Sequence, residues 1–183
     1  DQADPVEGDD VNNKNEKGQT ALHCAVLRGD AVEVERLLKL GASPAKCEVN
    51  GMSCLAYAAM CDDLEIAKKL VQAGATLSTR DNNGRTAFAL FCIVSSPDIL
   101  DYILSLNPPM STKDTEDWTP FHFACYSGML DTVKKLVSKG ADSKGRDKRG
   151  RNAMHLAASA DHVDVVSYLR ELECPINVKD QAG

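Results

Sequence analysis

The sequence contains the motif Thr20-Ala-Leu-His23, which begins just after Gly18 and recurs with small changes at a constant interval. The later copies are Ser53-Cys-Leu-Ala56, Thr86-Ala-Phe-Ala89, Thr119-Pro-Phe-His122 and Asn152-Ala-Met-His155. Glycines occupy one lattice of the same period, at positions 18, 51, 84, 150 and 183, and Asp117 fills the one missing position. The interval is 33 residues. A fixed period of this length indicates a repeat architecture in which each unit is one small structural motif.

Each period contains two short helical patterns. The first begins at the motif that starts with Thr20, and the second follows it with apolar residues at helical spacing, as in Val32, Val34, Leu37 and Leu38. Gly-Ala pairs at 41–42, 74–75 and 140–141 predict the end of the second helix, because glycine adopts the left-handed conformation of a helix C-cap without steric cost. Each unit is therefore predicted to be a turn followed by two helices.

This repeating unit resembles the ankyrin repeat in its length and in its recurring motifs, and the resemblance extends over nearly the whole chain. The resemblance implies an all-α, ankyrin-repeat solenoid of stacked helix-turn-helix units with β-turn or hairpin fingers. It divides the chain into an N-terminal segment with the tail of a partial repeat (1–13), five repeats (14–46, 47–79, 80–112, 113–145 and 146–178) and the start of a truncated sixth (179–183). We therefore expect a fragment of a longer array. The third repeat is irregular, since Ser95-Ser96-Pro97 and Asn107-Pro108-Pro109 replace its usual turn residues, and a shifted or lengthened loop is expected there.

Composition and motifs argue against several classes of function. The chain has 21 Lys and Arg against 27 Asp and Glu, and its net charge of -6 disfavours sequence-blind binding of nucleic acid or anionic lipid. The longest apolar run, residues 87–94, is too short to cross a bilayer. No phosphate-binding loop, zinc-protease motif or nucleophile elbow is found. We expect a non-enzymatic protein of the cytoplasm or nucleus without a cofactor or metal, monomeric as an isolated fragment, that neither inserts into membranes nor binds nucleic acid.

Three histidines and five cysteines are assigned to the interior of the stack. The resemblance implies that His23, His122 and His155 are structural, because the family uses this imidazole to hydrogen-bond neighbouring turns. Six cysteines remain after Cys24, which shares a column with large apolar residues. Four of these are predicted to be packed small hydrophobes, namely Cys54, Cys92, Cys125 and Cys174. The other two, Cys47 and Cys61, occupy positions open to solvent.

Two columns of the repeat are the ones that binders of this family vary. The residue after each lattice position gives Gln19, Met52, Arg85, Trp118 and Arg151, and the end of the first helix gives Leu27, Met60, Ile93, Tyr126 and Ser159. Trp118 is the only tryptophan and is predicted to lie beside Tyr126, between the two arginines of its column. Its ring is either an interaction hot spot or a cover for the turn that has Asp117 in place of glycine. The sequence leaves both interpretations open.

Basic residues form a second candidate surface. The residue before each turn aspartate gives Lys14, Cys47, Arg80, Lys113, Arg146 and Lys179, and Lys148, Arg149 and Arg151 add to this edge in the fifth repeat. Such a row suits a partner segment with carboxylates or phosphates. Alternatively, these cations are solvated or neutralised by neighbours such as Asp81, Asp114 and Asp147.

The sequence thus predicts a protein-protein interaction module, a scaffold or adaptor that binds a peptide or domain of another protein in its concave groove. The partner is expected to carry an acidic or phosphorylated segment. The predicted contact residues are Met52, Met60, Arg85, Ile93, Trp118, Tyr126, Arg149 and Arg151. The alternative is a regulatory or substrate-recruiting arm of a larger multidomain enzyme.

Overall fold

The computed structural model describes residues 10–45, 50–94, 96–176 and 178–182. Within these residues the chain forms ten α-helices joined by short turns. They are α1 (Ala21–Leu27), α2 (Ala31–Lys39), α3 (Cys54–Cys61), α4 (Leu64–Gln72), α5 (Ala87–Val94), α6 (Pro97–Ser105), α7 (Pro120–Tyr126), α8 (Leu130–Ser138), α9 (Ala153–Ser159) and α10 (Val163–Glu171). The all-α, repeated architecture is confirmed, and each of the five predicted repeats contains one helix pair.

The helices stack in two rows. The odd-numbered helices pack against one another in chain order from α1 to α9, and each also packs against the even-numbered helix that follows it. We call these the inner and outer helices. Every inner helix begins one repeat period after the one before it, from Ala21 to Ala153, and every outer helix keeps the same interval from Ala31 to Val163. This spacing brings equivalent residues of successive repeats into columns.

Local sequence explains where the helices begin. The Asp30 and Asp63 side chains accept hydrogen bonds from the Glu33 and Ile66 amides, which caps the outer helices α2 and α4. At the start of α7, the Thr119 amide donates to Nδ1 of His122, 3.1 Å away. The second ring nitrogen of His122 lies 3.2 Å from the Gly145 carbonyl and donates to it in this tautomer. We call the segment between an outer helix and the next inner helix a finger. The imidazole therefore links the start of one inner helix to the finger that leads to the next one.

The other two histidines of this column have related contacts. His23 accepts from the Thr20 amide and its Nε2 lies 3.4 Å from the Met52 carbonyl of the second repeat. His155 contacts its cap residue Asn152, with 2.7 Å between Nδ1 and Oδ1. Burial lowers the pKa of His122, although its bond to Gly145 acts in the opposite direction. The lowered pKa favours the neutral ring that these hydrogen bonds require.

The core runs along the interface between the two rows. Its largest fully buried side chains include Phe88 and Phe91 of α5 and Phe121 of α7. The predicted burial of Cys54, Cys92, Cys125 and Cys174 is confirmed, and burial raises the pKa of the Cys92 and Cys125 thiols. Cys61 is exposed, as predicted, and Cys47 lies outside the described residues. Cys24 is only half-buried, because α1 is the first described inner helix and packs against one inner neighbour, α3.

The expected lengthening of the loops in the third repeat is wrong. Helix α6 begins at Pro97, one full period after Leu64, and α7 begins at Pro120, one full period after Ala87. Proline fits the first turn of α6, where its missing amide would have no intrahelical partner. Asn107 takes the left-handed conformation, with φ 51°, that Gly41, Gly74 and Gly140 take after the other outer helices. Asparagine tolerates this conformation, so the repeat keeps its length without the glycine.

Candidate partner-binding surface

A row of large apolar side chains is exposed at the ends of the inner helices. Leu27, Met60 and Tyr126 are 43%, 55% and 47% exposed, Ile93 between the last two is half-buried, and Ser159 at the end of α9 is exposed. We call Leu27, Met60, Ile93 and Tyr126 the inner-helix stripe. Each residue of the stripe lies one repeat period from the next, so the stacking of the helices aligns them.

Trp118 lies next to this stripe in a cluster of rings. Its indole packs edge-on against Phe123 and Tyr126, with ring centroids 5.1 and 5.2 Å apart. The Arg151 guanidinium lies over the indole, 5.7 Å from its centroid. We call Trp118, Phe123 and Tyr126 the aromatic cluster. Trp118 is half-buried and Phe123 is buried, so the exposed part of this cluster is Tyr126 and one portion of the indole.

Asp147 holds the aromatic cluster from the fifth repeat. Its Oδ2 accepts hydrogen bonds from Nε1 of Trp118 at 3.1 Å and from Nε of Arg151 at 2.9 Å. Its Oδ1 accepts from the amides of Arg149 and Arg151, each at 2.9 Å. Burial alone would raise the pKa of Asp147, but the hydrogen bonds from Arg151 and Trp118 outweigh it and lower that pKa. The carboxylate is thus charged and fixes both the indole and the arginine.

Tyr126 is supported by the fifth repeat as well. His162 Nε2 lies 3.0 Å from the Tyr126 carbonyl at the end of α7. The His162 ring rests on Gly128, where a Cβ would come within 2.4 Å of the ring, and Gly128 has a φ of +70°. A side chain at position 128 would therefore be strained and would displace the histidine.

The remaining predicted contact residues differ in how available they are. Met52 is half-buried and packs against the core. Arg85 is paired with Asp81, with 2.8 Å from Nη2 to Oδ2, in the same arrangement that Arg151 makes with Asp147. Arg149 is exposed. Neutralisation by the turn aspartate, which is one of the two interpretations of the basic residues, therefore applies to Arg85 and Arg151.

The predicted basic edge is interrupted. Lys113 pairs with Asp117 at 3.4 Å, and the Arg80 guanidinium donates to the Lys113 carbonyl. Lys14, Arg146 and Lys179 are exposed, and Cys47 lies outside the described residues. The exposed positive charge is therefore densest in the fifth repeat.

Sequence reasoning missed Asp147, Phe123 and His162 as parts of this surface. The sequence identifies Asp147 only as a turn residue that could neutralise the basic edge, and Phe123 only as a member of a core column. Trp118 and Asp147 are 29 residues apart, and His162 and Tyr126 are 36 apart. The repeat period is the one signal that places such pairs in neighbouring units.

In the described ranges, none of the helices has the length and apolar character that a membrane span requires. No group of three or more His, Cys, Asp and Glu side chains in those ranges is arranged to hold a metal ion.

The sequence of the chain matches a known repeat family. A family model described as ankyrin repeats (3 copies) matches residues 5–81 and 90–180. The two matched segments cover most of the chain and include all ten helices except the first part of α5.

Proposed function

Because the chain belongs to the ankyrin-repeat family, we propose that it is a protein-protein interaction module that binds a segment of its partner along the inner-helix stripe. Ankyrin repeats are generally such modules. The aromatic cluster at Trp118 and Tyr126 supplies the main anchor. The contact surface extends to Met52, Arg85, Arg149 and Arg151 on the fingers.

One observation carries this proposal. Leu27, Met60 and Tyr126 expose about half of their side chains in a single column, although most of the other apolar residues of their helices are buried. Contiguous exposed apolar surface on a globular protein commonly marks an interaction site. A partner that covers the stripe removes this surface from water, which is the dominant favourable contribution to association.

The expected energy of the anchor is moderate. Full burial of a tryptophan ring would contribute up to about 4–6 kcal/mol from its area alone. Trp118 already packs against Phe123 and Arg151, so only part of that area is available to a partner. We expect about 2 kcal/mol or more from the cluster as a whole, which is typical of an interface hot spot.

The proposed partner contributes an acidic or phosphorylated segment on the side of the basic edge. The exposed cations Arg146, Arg149 and Lys179 provide the complementary charge. The buried thiols suit the reducing cytoplasm or nucleus, where we place the interaction. The chain is proposed to bind as a monomer and to bind neither nucleic acid nor a membrane.

Substitution of the anchor tests the proposal. Partners captured by the wild-type chain are purified, and their affinities for the Trp118→Ala/Tyr126→Ala variant are measured by calorimetry. A loss of about 2 kcal/mol corresponds to a Kd increase of about 30-fold. The melting temperature of the variant should fall by a few degrees, because Tyr126 is exposed but Trp118 is half-buried and loses its hydrogen bond to Asp147.

Val163→Ala is the matched control, since Val163 is 69% exposed on an outer helix of the fifth repeat. It should leave the Kd unchanged. An anchor variant that binds like wild type, or a control variant that loses as much affinity, would rule out the aromatic cluster as the contact.

A further inference from the structure

The turns at the tips of the fingers differ in charge from repeat to repeat. The two central residues of the described tips are Glu16-Lys17, Asn82-Asn83, Thr115-Glu116, Lys148-Arg149 and Gln181-Ala182. Among these described tips, the fifth-repeat pair Lys148-Arg149 is the one that carries two cations. Both side chains are exposed, and neither takes part in an ion pair with the described residues.

The backbone of this basic tip is held in place on both sides. The Gly150 amide closes the turn on the Asp147 carbonyl at 2.9 Å. The Lys148 amide donates to the Glu116 carbonyl of the fourth tip at 3.0 Å, and the Gln181 amide donates to the Arg149 carbonyl at 2.9 Å. Little backbone entropy would be lost when this tip binds a partner.

The charge around the tip is positive despite the negative charge of the whole chain. Between positions 144 and 151 the finger has five cations, Lys144, Arg146, Lys148, Arg149 and Arg151, and one anion, Asp147. Arg151 is paired with Asp147, so four cations remain without an acid of their own between these positions. Three acidic residues adjoin this stretch, namely Glu116, Asp142 and Asp180, and none of them makes an ion pair with Lys148 or Arg149 among the described contacts.

The basic tip and the aromatic cluster are joined through one residue. The Asp147 carboxylate accepts a hydrogen bond from the indole of Trp118, and Lys148 follows Asp147 in the chain. We propose that these two surfaces together recognise a bipartite acidic segment, with one large apolar side chain on the aromatic cluster and two or more carboxylates on Lys148 and Arg149. Because Asp147 contacts the indole and Lys148 follows Asp147 directly, the apolar and acidic parts of the segment should be close together in the partner's sequence. This inference rests on the proposed function and specifies its partner.

Several carboxylates fit this finger better than a single phosphate does. A phosphate is best bound by donors that converge on one group. Here four cations are distributed over residues 144–149, which matches acidic side chains distributed along a segment. A long polyanion such as nucleic acid would meet a chain with a net charge of -6.

A displayed library of random peptides, selected on the intact chain, tests this inference. The wild type should enrich peptides in which a large apolar residue lies close in sequence to at least two Asp or Glu. Selection on Lys148→Glu/Arg149→Glu should lose the acidic preference and keep the apolar one. Selection on Trp118→Ala/Tyr126→Ala should do the reverse. Lys139→Glu/Arg170→Glu, which makes the same charge change at two exposed residues of the outer row, should behave like wild type.

Binding constants of one selected peptide complete the test. Its Kd should rise at least tenfold for Lys148→Glu/Arg149→Glu and should stay within twofold for Lys139→Glu/Arg170→Glu. Replacing its acidic pair with one phosphoserine should weaken binding, and tighter binding of the phosphopeptide would overturn the assignment of carboxylates.

The two proposals fail in different ways in this experiment. Enriched peptides without acidic residues, or an acidic peptide that binds the charge-reversed variant unchanged, overturn the bipartite inference alone. Peptides whose enrichment and Kd are the same for wild type and Trp118→Ala/Tyr126→Ala contradict the aromatic anchor of the proposed function.

Discussion

Replacing Phe91 with alanine is expected to lower the free energy of unfolding by about 3–5 kcal/mol. Phe91 is fully buried on α5, the central inner helix, which packs against both α3 and α7. The substitution removes apolar contacts and leaves a cavity that close-packed neighbours fill only in part. Urea unfolding followed by circular dichroism at equilibrium measures the loss.

Met60→Ala provides the matched comparison for this prediction. Met60 also lies on an inner helix, α3, but it is 55% exposed, and its truncation should cost less than about 1 kcal/mol. Similar losses for the two variants would mean that the core and the stripe are assigned to the wrong sides of the inner helices.

Replacing Asp147 with asparagine is expected to cost about 2 kcal/mol at pH 7. The carboxylate accepts charge-assisted bonds from Arg151, with 2.8 Å from Oδ2 to Nη2, and its side chain is 1% exposed. Asparagine keeps the shape but presents an amide donor and no charge to the arginine. The cost stays below that of a fully buried ion pair, because the Arg151 side chain is 23% exposed and water solvates it in the variant.

The effect of Asp147→Asn should depend on pH in a defined direction. The pKa of Asp147 is lowered in the folded chain, so its contribution is present above the unfolded-state pKa of about 3.9 and is lost as the pH falls through the folded-state value. The stability difference between wild type and Asp147→Asn should therefore be largest near neutral pH and shrink below about pH 4. Chemical denaturation over a pH series measures it.

Asp81→Asn separates the indole bond from the arginine pair. Asp81 accepts from Nε of Arg85 at 2.8 Å and caps the Arg85 amide at 2.8 Å, which is the pattern that Asp147 has, and position 52, which corresponds to Trp118, is a methionine. The loss in free energy of unfolding should be about 1 kcal/mol larger for Asp147→Asn than for Asp81→Asn, which is the net value of one hydrogen bond. Tryptophan fluorescence should change in the first variant alone. Equal costs and an unchanged emission spectrum would contradict the account of Trp118.

The repeat period was enough to predict the architecture. A repeat that begins a helix at Ala21 begins its equivalents at Cys54 and Ala87, because stacking neighbours bury a continuous core only when they keep one geometry. Pro97 and Asn107 misled the prediction of loop length. Their individual preferences suggested a break, but proline is compatible with a first helical turn, and asparagine with a left-handed C-cap.

The candidate surface was predictable in outline only. The column position of Met60 and Tyr126 follows from the period, and the structure shows that both side chains are exposed. The environment of Trp118 depends on Asp147 and Arg151 in the next repeat, and no local pattern encodes a bond between side chains 29 residues apart. The indole packs on its own repeat and is half-buried at the edge of the stripe, and its role as an interaction hot spot stays a prediction.

The position of the partner on the inner-helix stripe is the central claim, and site-specific photo-crosslinking tests it most directly. A benzophenone amino acid is placed at Met60 on the stripe or, in separate proteins, at Val32, which is 82% exposed on the outer helix α2. We predict that the purified partner is cross-linked from position 60 and not from position 32. Cross-linking from position 32 with none from position 60 would place the partner on the outer row and contradict the account.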